Sequence, residues 1–323
     1  MAVYTKINSK DILSLSRDYK LGKIIKSEGI KKGIENTNYL LKTNKKKFIL
    51  TIFEKRVQKK DLPFFMNLME KLNQKKIICP KPLKNNANKH LSKIQNKPAS
   101  IVTFLKGKDK ATLNYKNCFD IGKNIAKFHK AGTKIKLYRQ NSMSINKLDS
   151  LLKSIKFTTN KIDPKLKFTL KGCLKDIKNQ WPKKLPSGII HGDLFIDNIF
   201  FNKNKFSGFI DFYFSSNDYL MYEIAICINA LCFDKKKNSF VINNKKIKYL
   251  IDGYETIRTI SKKEKDSLNI LCRGAALRYL LTRIYDYFNT PKTALIQIKE
   301  PNEYFQKLII HNNLNSYKDY YKL

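Results

Sequence analysis

Residues 188–212 read Gly188-Ile189-Ile190-His191-Gly192-Asp193-Leu194-Phe195-Ile196-Asp197-Asn198-Ile199-Phe200-Phe201-Asn202-Lys203-Asn204-Lys205-Phe206-Ser207-Gly208-Phe209-Ile210-Asp211-Phe212. The apolar run Gly188-Ile189-Ile190 reads as a short buried strand leading into His191. Asn198-Ile199-Phe200-Phe201 and Phe206 to Asp211 flank a polar turn at Asn202 to Lys205, which is a hairpin signal. Asp193 precedes Asn198 by five positions, and Asp211 follows Asn198 by thirteen. A hairpin of this kind returns Asn198 and Asp211 to the same mouth. The stretch therefore offers one carboxylate placed as a base, plus a neutral oxygen and a second carboxylate suited to a hard cation. An isolated His-x-Asp is more often a turn or a helix cap. Adding the Asn at its offset, the hairpin and the second Asp argues for chemistry.

At 323 residues the chain exceeds one typical domain and suits two lobes around a cleft. With 42 % hydrophobic residues it can bury a substantial core. No apolar run approaches membrane-spanning length, and Met1 to Asn8 lacks the apolar core of a signal peptide. Six cysteines (Cys79, Cys118, Cys173, Cys227, Cys232, Cys272) are scattered without Cys-x-x-Cys spacing. Their apolar surroundings favour reduced core thiols over disulfides or zinc ligands. A cytoplasmic enzyme is expected. The net charge of +39 by itself suggests a nucleic-acid or anionic-membrane partner. However, the basic residues are spread along the whole chain, and 58 are Lys against 7 Arg. Arg reads bases and grips phosphates bidentately, whereas dispersed Lys mainly solvates a surface. Asn and Ile are abundant too, so an AT-rich coding bias accounts for the composition. No specific nucleic-acid partner and no membrane partner are expected.

Residues 1–20 read as a short helix capped by Ser9 or Asp11. Strands follow at Leu21–Ile30, Ile34–Lys42 and Lys47–Phe53, then a helix from Leu62 to Gln74 with Pro63 in its first turn. Two more strands lie near His90–Gln95 and Pro98–Leu105. Lys106-Gly107-Lys108-Asp109 breaks the pattern, and the remainder is mainly helical: Asn117–Lys130, Ser144–Phe157, Pro164–Gln180, Asp218–Phe233, Lys245–Ile257, Lys262–Phe288 and Pro301–Ile310. No internal repeat is visible.

Phosphoryl transfer asks a protein for positioning and charge neutralisation. The kinase catalytic loop places its base Asp five residues before a metal-binding Asn, with a further metal-binding Asp on a later strand. On that pattern Asp193 receives or orients the proton of an attacking hydroxyl, Asn198 and Asp211 hold Mg²⁺, and His191 orders the loop. No P-loop sequence occurs. His129 shares a helix face with Ile121, Ile125 and Phe128 and reads as a satisfied core histidine. The set His191-x-Asp193-x-x-x-x-Asn198 with Ile210-Asp211-Phe212 resembles the aminoglycoside phosphotransferase/choline kinase group of protein-kinase-like enzymes. Longer strings, nearly end to end, are similar to bacterial homoserine kinases of that type. They include Met1 to Thr5, Phe48-Ile49-Leu50-Thr51 with Glu54-Lys55-Arg56-Val57, Asp61 to Phe65, Ile189 to Phe195, Ile210 to Phe214, Arg273 to Arg278 and Leu281 to Asp286.

The resemblance implies a two-lobed, protein-kinase-like α+β fold. A small antiparallel-sheet lobe (1–105) would cover the nucleotide, and a mainly helical lobe (106–323) would carry the catalytic hairpin and the substrate site. It also implies ATP and Mg²⁺ as cofactors and the side-chain hydroxyl of L-homoserine as acceptor, giving O-phospho-L-homoserine on the route to threonine. Competing readings are a kinase of the same group acting on choline, ethanolamine, methylthioribose or an aminoglycoside, and a non-catalytic kinase-like binding protein.

The chain also departs from the pattern. Where protein kinases carry a phosphate-binding Lys on the third strand, Thr51 stands here, leaving Lys55 or Arg56 to reach the phosphates. Glu70 holds the position of that Lys's usual partner. The loop from Gly29 to Asn36 is not Gly-x-Gly-x-x-Gly. Thr103, Phe104 and Leu105 fall at the lobe junction, where main-chain groups would receive adenine. An amino-acid substrate calls for a bidentate Arg at its carboxylate and an acidic or carbonyl partner at its ammonium. Four of the 7 Arg lie between 258 and 283. Arg278 or Arg283 is the candidate for the carboxylate, set against a structural ion pair. Tyr213, Asn217 and Asp218, just beyond Asp211, are the other candidates.

Overall fold

The computed structural model describes residues 3–31, 36–54, 57–155, 164–289 and 299–321. Lys55, Arg56 and the loop positions 32–35 lie outside the described residues, as does the end of the helix expected to reach Phe157. Two compact units emerge. Among the described residues, the first takes those within 1–107 and 207–213, and the second takes the rest.

The first unit runs α1 (Ser9–Asp18), β1 (Ile24–Gly29), β2 (Thr37–Thr43), β3 (Lys47–Ile52), α2 (Leu62–Gln74), β4 (Leu91–Ile94) and β5 (Lys97–Thr103). The strands form one antiparallel sheet in the order β1-β2-β3-β5-β4. Alternation drives this arrangement: on β2, Thr37, Tyr39, Leu41 and Thr43 turn inward. On β3, Phe48, Leu50 and Ile52 join Leu15, Tyr19, Leu41, Ile94 and Ile101 in the core. Each such side chain contributes about 1.5–3 kcal/mol by leaving water. Thr51 is buried as well, so β3 is covered on both faces. On α2, Phe65, Leu68, Met69 and Leu72 recur at helical spacing and are buried. The cap of α1 is Asn8, not Ser9 or Asp11. Asn8 accepts from Asp11 N–H while the Asp11 carboxylate accepts from Asn8 N–H, a reciprocal box that leaves Asp11 as its distal member.

The second unit contains α3 (Tyr115–Gly132), α4 (Leu148–Ser154), α5 (Pro164–Gln180), β6 (Ser187–Ile190), β7 (Ile199–Asn202) and the start of β8 (Lys205–Phe209). Then come β9 (Ser216–Tyr219), α6 (Leu220–Leu231), β10 (Phe233–Lys235), β11 (Phe240–Ile242), α7 (Asn244–Glu255), α8 (Lys262–Asp266), α9 (Leu268–Asn289), α10 (Asn302–Asn312) and α11 (Tyr317–Tyr320). The chain passes from the second unit into the first between Phe206 and Ser207. Helix α6 starts two residues later than its periodicity suggests, because Ser216–Tyr219 pairs antiparallel with β6, setting Asp218 opposite Gly188. The helix expected over Lys262–Phe288 is two, parted at Ser267, with α8 capped by Ser261 and Glu264. α3 and α7 meet backbone to backbone. A Cβ on Gly122 would stand 1.9 Å from the Leu250 carbonyl oxygen, and one on Gly253 would stand 2.0 Å from that of Phe119.

All six cysteines are free thiols, and five are buried. Burial pushes the Cys79 and Cys118 thiols up to about 12. No described helix is long and apolar enough to cross a membrane.

Candidate active site

Strand β6 delivers the chain into the loop His191-Gly192-Asp193. Gly192 turns at φ +79°, and a Cβ there would lie 2.9 Å from the Phe214 carbonyl oxygen, so only glycine fits. The N–H groups of His191 and Gly192 both point at one carboxylate, that of Glu223 on α6. His191 N–H donates to Oε2, and Gly192 N–H donates to Oε1 at 3.1 Å. Glu223 is fully buried. Its Oε2 also lies 3.9 Å from His129 Nε2, too far for a hydrogen bond, and His129 Nδ1 sits 2.8 Å from the Tyr254 hydroxyl. Burial holds His129 below the ordinary histidine range, against the pull of Glu223, so it is neutral beside that carboxylate. His191 is itself fully buried, and its carbonyl accepts from the Ser215 hydroxyl at 3.4 Å.

Asp193 follows, half-buried. Asn198 Nδ2 donates to the Asp193 carbonyl at 2.8 Å and to its Oδ2 at 3.2 Å. The Tyr279 hydroxyl, from α9, lies 3.4 Å from Oδ1 and 3.3 Å from the Gly192 carbonyl. Phe195 packs edge-on against the Tyr279 ring, with centroids 4.9 Å apart. The base candidate is thus gripped from its own loop and from a helix far along the chain. With Nδ2 of Asn198 spent on Asp193, its oxygen is what remains to offer a hard cation.

Asp218, on β9, takes the Tyr219 N–H at 2.7 Å and Asn141 Nδ2 at 2.6 Å. Burial raises its carboxyl above the usual range, opposed by those hydrogen bonds and by the charge of Arg278. Asn217 exchanges main-chain and side-chain bonds with Arg139. Arg278 is 3 % exposed. Burial works against its charge, but Tyr279, Tyr222 and Asp193 hold it above the ordinary arginine range. Arg283 donates to the Glu300 carbonyl at 2.8 Å and to Glu303 at 2.7 Å.

In the first unit, Asp211 is exposed and sits at φ +63°, uncommon for a residue with a side chain. Tyr213 packs edge-on to Phe53 and Phe65 at 5.2 and 5.7 Å. Its phenol is pushed up by burial and by Asp211, and eased down by a hydrogen bond with Thr51. Thr51 also donates to Asn38 Oδ1 at 2.7 Å. Glu70 pairs with Lys84 at 3.0 Å and lies 3.2 Å from His90, which supply the basic company that Thr51 does not. Thr103 N–H bonds the Lys81 carbonyl and Phe104 N–H that of Lys47, while Leu105 is half-buried.

Glu223, Tyr279 and Asn141 were missed in the sequence. Glu223 left a signal: it is the one charge in the apolar helix Leu220–Leu231, and a lone carboxylate there needs buried donors.

Residues 26–258 match the phosphotransferase enzyme family. The homoserine kinase of Allorhizobium ampelinum is 40 % identical over 320 residues, covering 99 % of both chains. Among solved structures, an amicoumacin kinase in complex with AMP-PNP, Ca²⁺ and Ami superposes with a TM-score of 0.72 at 13 % identity, covering 95 % of this chain and 92 % of that one. The choline kinase LicA from Streptococcus pneumoniae gives 0.61 at 14 % identity, covering 93 % and 95 %. At such identities the structural likenesses speak for the fold, which is that of the protein-kinase-like phosphotransferases. Matched almost end to end at 40 % identity, the chain belongs to the phosphotransferase enzyme family, among its homoserine kinases.

Proposed function

We propose that this chain phosphorylates L-homoserine with ATP, giving ADP and O-phospho-L-homoserine for threonine synthesis. The observation that carries the reading is the likeness to homoserine kinases over 99 % of the chain. In the reaction the homoserine hydroxyl oxygen bonds to the γ-phosphorus and the bond to the β–γ bridging oxygen breaks. The hydroxyl proton passes to Asp193, held for it by Asn198 and Tyr279. His191 fixes the loop through its main-chain bonds to Glu223 and Ser215. Asn198 and Asp211 would hold Mg²⁺, which when bound neutralises charge on the phosphate oxygens.

Residues 1–105, with Thr51, Thr103, Phe104 and Leu105, are proposed to cover the nucleotide. Because the N–H groups of Thr103 and Phe104 are already bonded, adenine would be read by their carbonyls and by Leu105. Residues 106–323 are proposed to hold the acceptor. Asp218 is the candidate for the substrate ammonium, with Tyr213 beside the metal Asp. Arg283 would have to leave Glu303 to meet the carboxylate. A cytoplasmic setting without a nucleic-acid partner belongs to the same proposal.

A panel of acceptors (homoserine, choline, ethanolamine, methylthioribose, kanamycin) assayed for ATP consumption tests this. Homoserine is expected to exceed the others in kcat/KM by about 100-fold or more. Turnover of another acceptor with homoserine inert would overturn the substrate. Salt-sensitive nucleic-acid binding with no turnover at all would overturn the enzyme.

A further inference from the structure

Arg278 is a buried cation only partly satisfied by hydrogen bonding: its guanidinium bonds the Tyr222 phenol, and the rest of it has no such partner. Its Nε and Nη1 have neither solvent nor a hydrogen-bond partner. Aromatic faces take their place: the guanidinium carbon lies 4.8 Å from the Tyr279 ring centroid and 5.9 Å from that of Phe214. Both rings belong to residues that define the catalytic loop. The Tyr279 hydroxyl touches the Gly192 carbonyl and Asp193 Oδ1, and the Phe214 carbonyl closes over Gly192. The charge of Arg278 also reaches the carboxylates of Asp193 and Asp218 and the phenol of Tyr222. If packing were its whole purpose, an apolar side chain of similar volume would serve without the cost of a desolvated charge. A direct contact with the substrate through Nε or Nη1 is disfavoured because both are sealed from solvent.

We propose that Arg278 is a positioning residue, whose buried guanidinium holds the Asp193 carboxylate and the Tyr279 ring that supports it in the orientation that meets the acceptor hydroxyl, without touching the substrate. This rests on Asp193 being the catalytic carboxylate. The discriminating measurement is the division of the effect between kcat and KM, with a conservative rescue and a double-mutant cycle. Arg278→Met is expected to lower kcat about 100-fold, the scale of a misplaced reacting group, with KM for homoserine and ATP unchanged within about 2-fold. Arg278→Lys, which restores a cation, is expected to recover about 10-fold of that loss. In an Asp193→Asn background Arg278→Met should add little further loss, because the two act as a unit.

A raised homoserine KM with kcat retained would make Arg278 a substrate contact and overturn the proposal. Wild-type kcat in Arg278→Met would remove its role, and fully multiplicative losses in the double variant would detach it from Asp193. Should Arg278→Met fail to fold, Arg278→Lys decides by the same kcat-against-KM division. Wild-type activity of Asp193→Asn alone would instead strike at the catalytic assignment itself, a failure the single Arg278 variants do not mimic.

Discussion

At the scale of single residues, the loop around Asp193 shows what a buried polar group requires. Glu223 accepts two main-chain N–H groups that would otherwise be orphaned under the loop, and it does so with a neutral histidine for company. Asp193→Asn keeps the contacts to Asn198 and Tyr279 nearly isosteric while removing the proposed base. Steady-state kinetics should show kcat reduced by about 10²–10⁴-fold with KM for ATP nearly unchanged. A second residue-scale prediction concerns His311, fully buried between Tyr320 (2.9 Å) and Asn229 (3.1 Å). Burial, with Lys307 and Arg273 nearby, lowers it from 6.5 to about 3. The unfolded chain takes up this proton as pH falls through about 6.5, while the native state holds out until far lower. Between these values the unfolded state binds more protons, so stability drops as pH falls, by about 1.4 kcal/mol per unit. His129 adds in the same direction. Urea unfolding between pH 6.5 and 5 should therefore show a slope shallower by about that amount in His311→Gln than in wild type.

At the scale of elements, most strands and helices were legible because hydrophobic periodicity is local. The pattern in Leu62–Gln74 predicts α2 to the residue. It fails where a partner outside the segment overrides it: Ser216–Tyr219 has helix-compatible residues but is captured as a strand by β6. The hairpin of β10 and β11 was likewise invisible, being only three residues on each side. The α3–α7 contact makes a sharp prediction. In an isolated helix Gly122→Ala would gain about 1 kcal/mol of propensity. Here the new methyl meets the Leu250 carbonyl at 1.9 Å, and the helices must separate. Thermal and urea unfolding should show a net loss of about 2–3 kcal/mol.

At the scale of the whole molecule, the dominant quantity is the net charge of +39. Such a charge opposes compaction through self-repulsion. Raising ionic strength from about 0.01 to 0.15 M shortens the screening length from about 30 to 8 Å. The melting temperature should rise by a few degrees over that range in scanning calorimetry. A fall would mean that specific ion pairs outweigh the general repulsion.

The spacing of Asp193, Asn198 and Asp211, the two-part organisation and the family strings could be read from the chain itself, since each depends on residues close together in sequence. The sequence could not say what grips the Asp193 carboxylate. Glu223 lies 31 residues from Gly192, and Tyr279 lies 86 from Asp193. Nor could it tell that Arg283 is engaged with Glu303 while Arg278 is sealed among aromatic rings behind Asp193. Two arginines five positions apart on one helix look alike in sequence. Their difference is in desolvation and partners, and those are fixed only when distant segments pack.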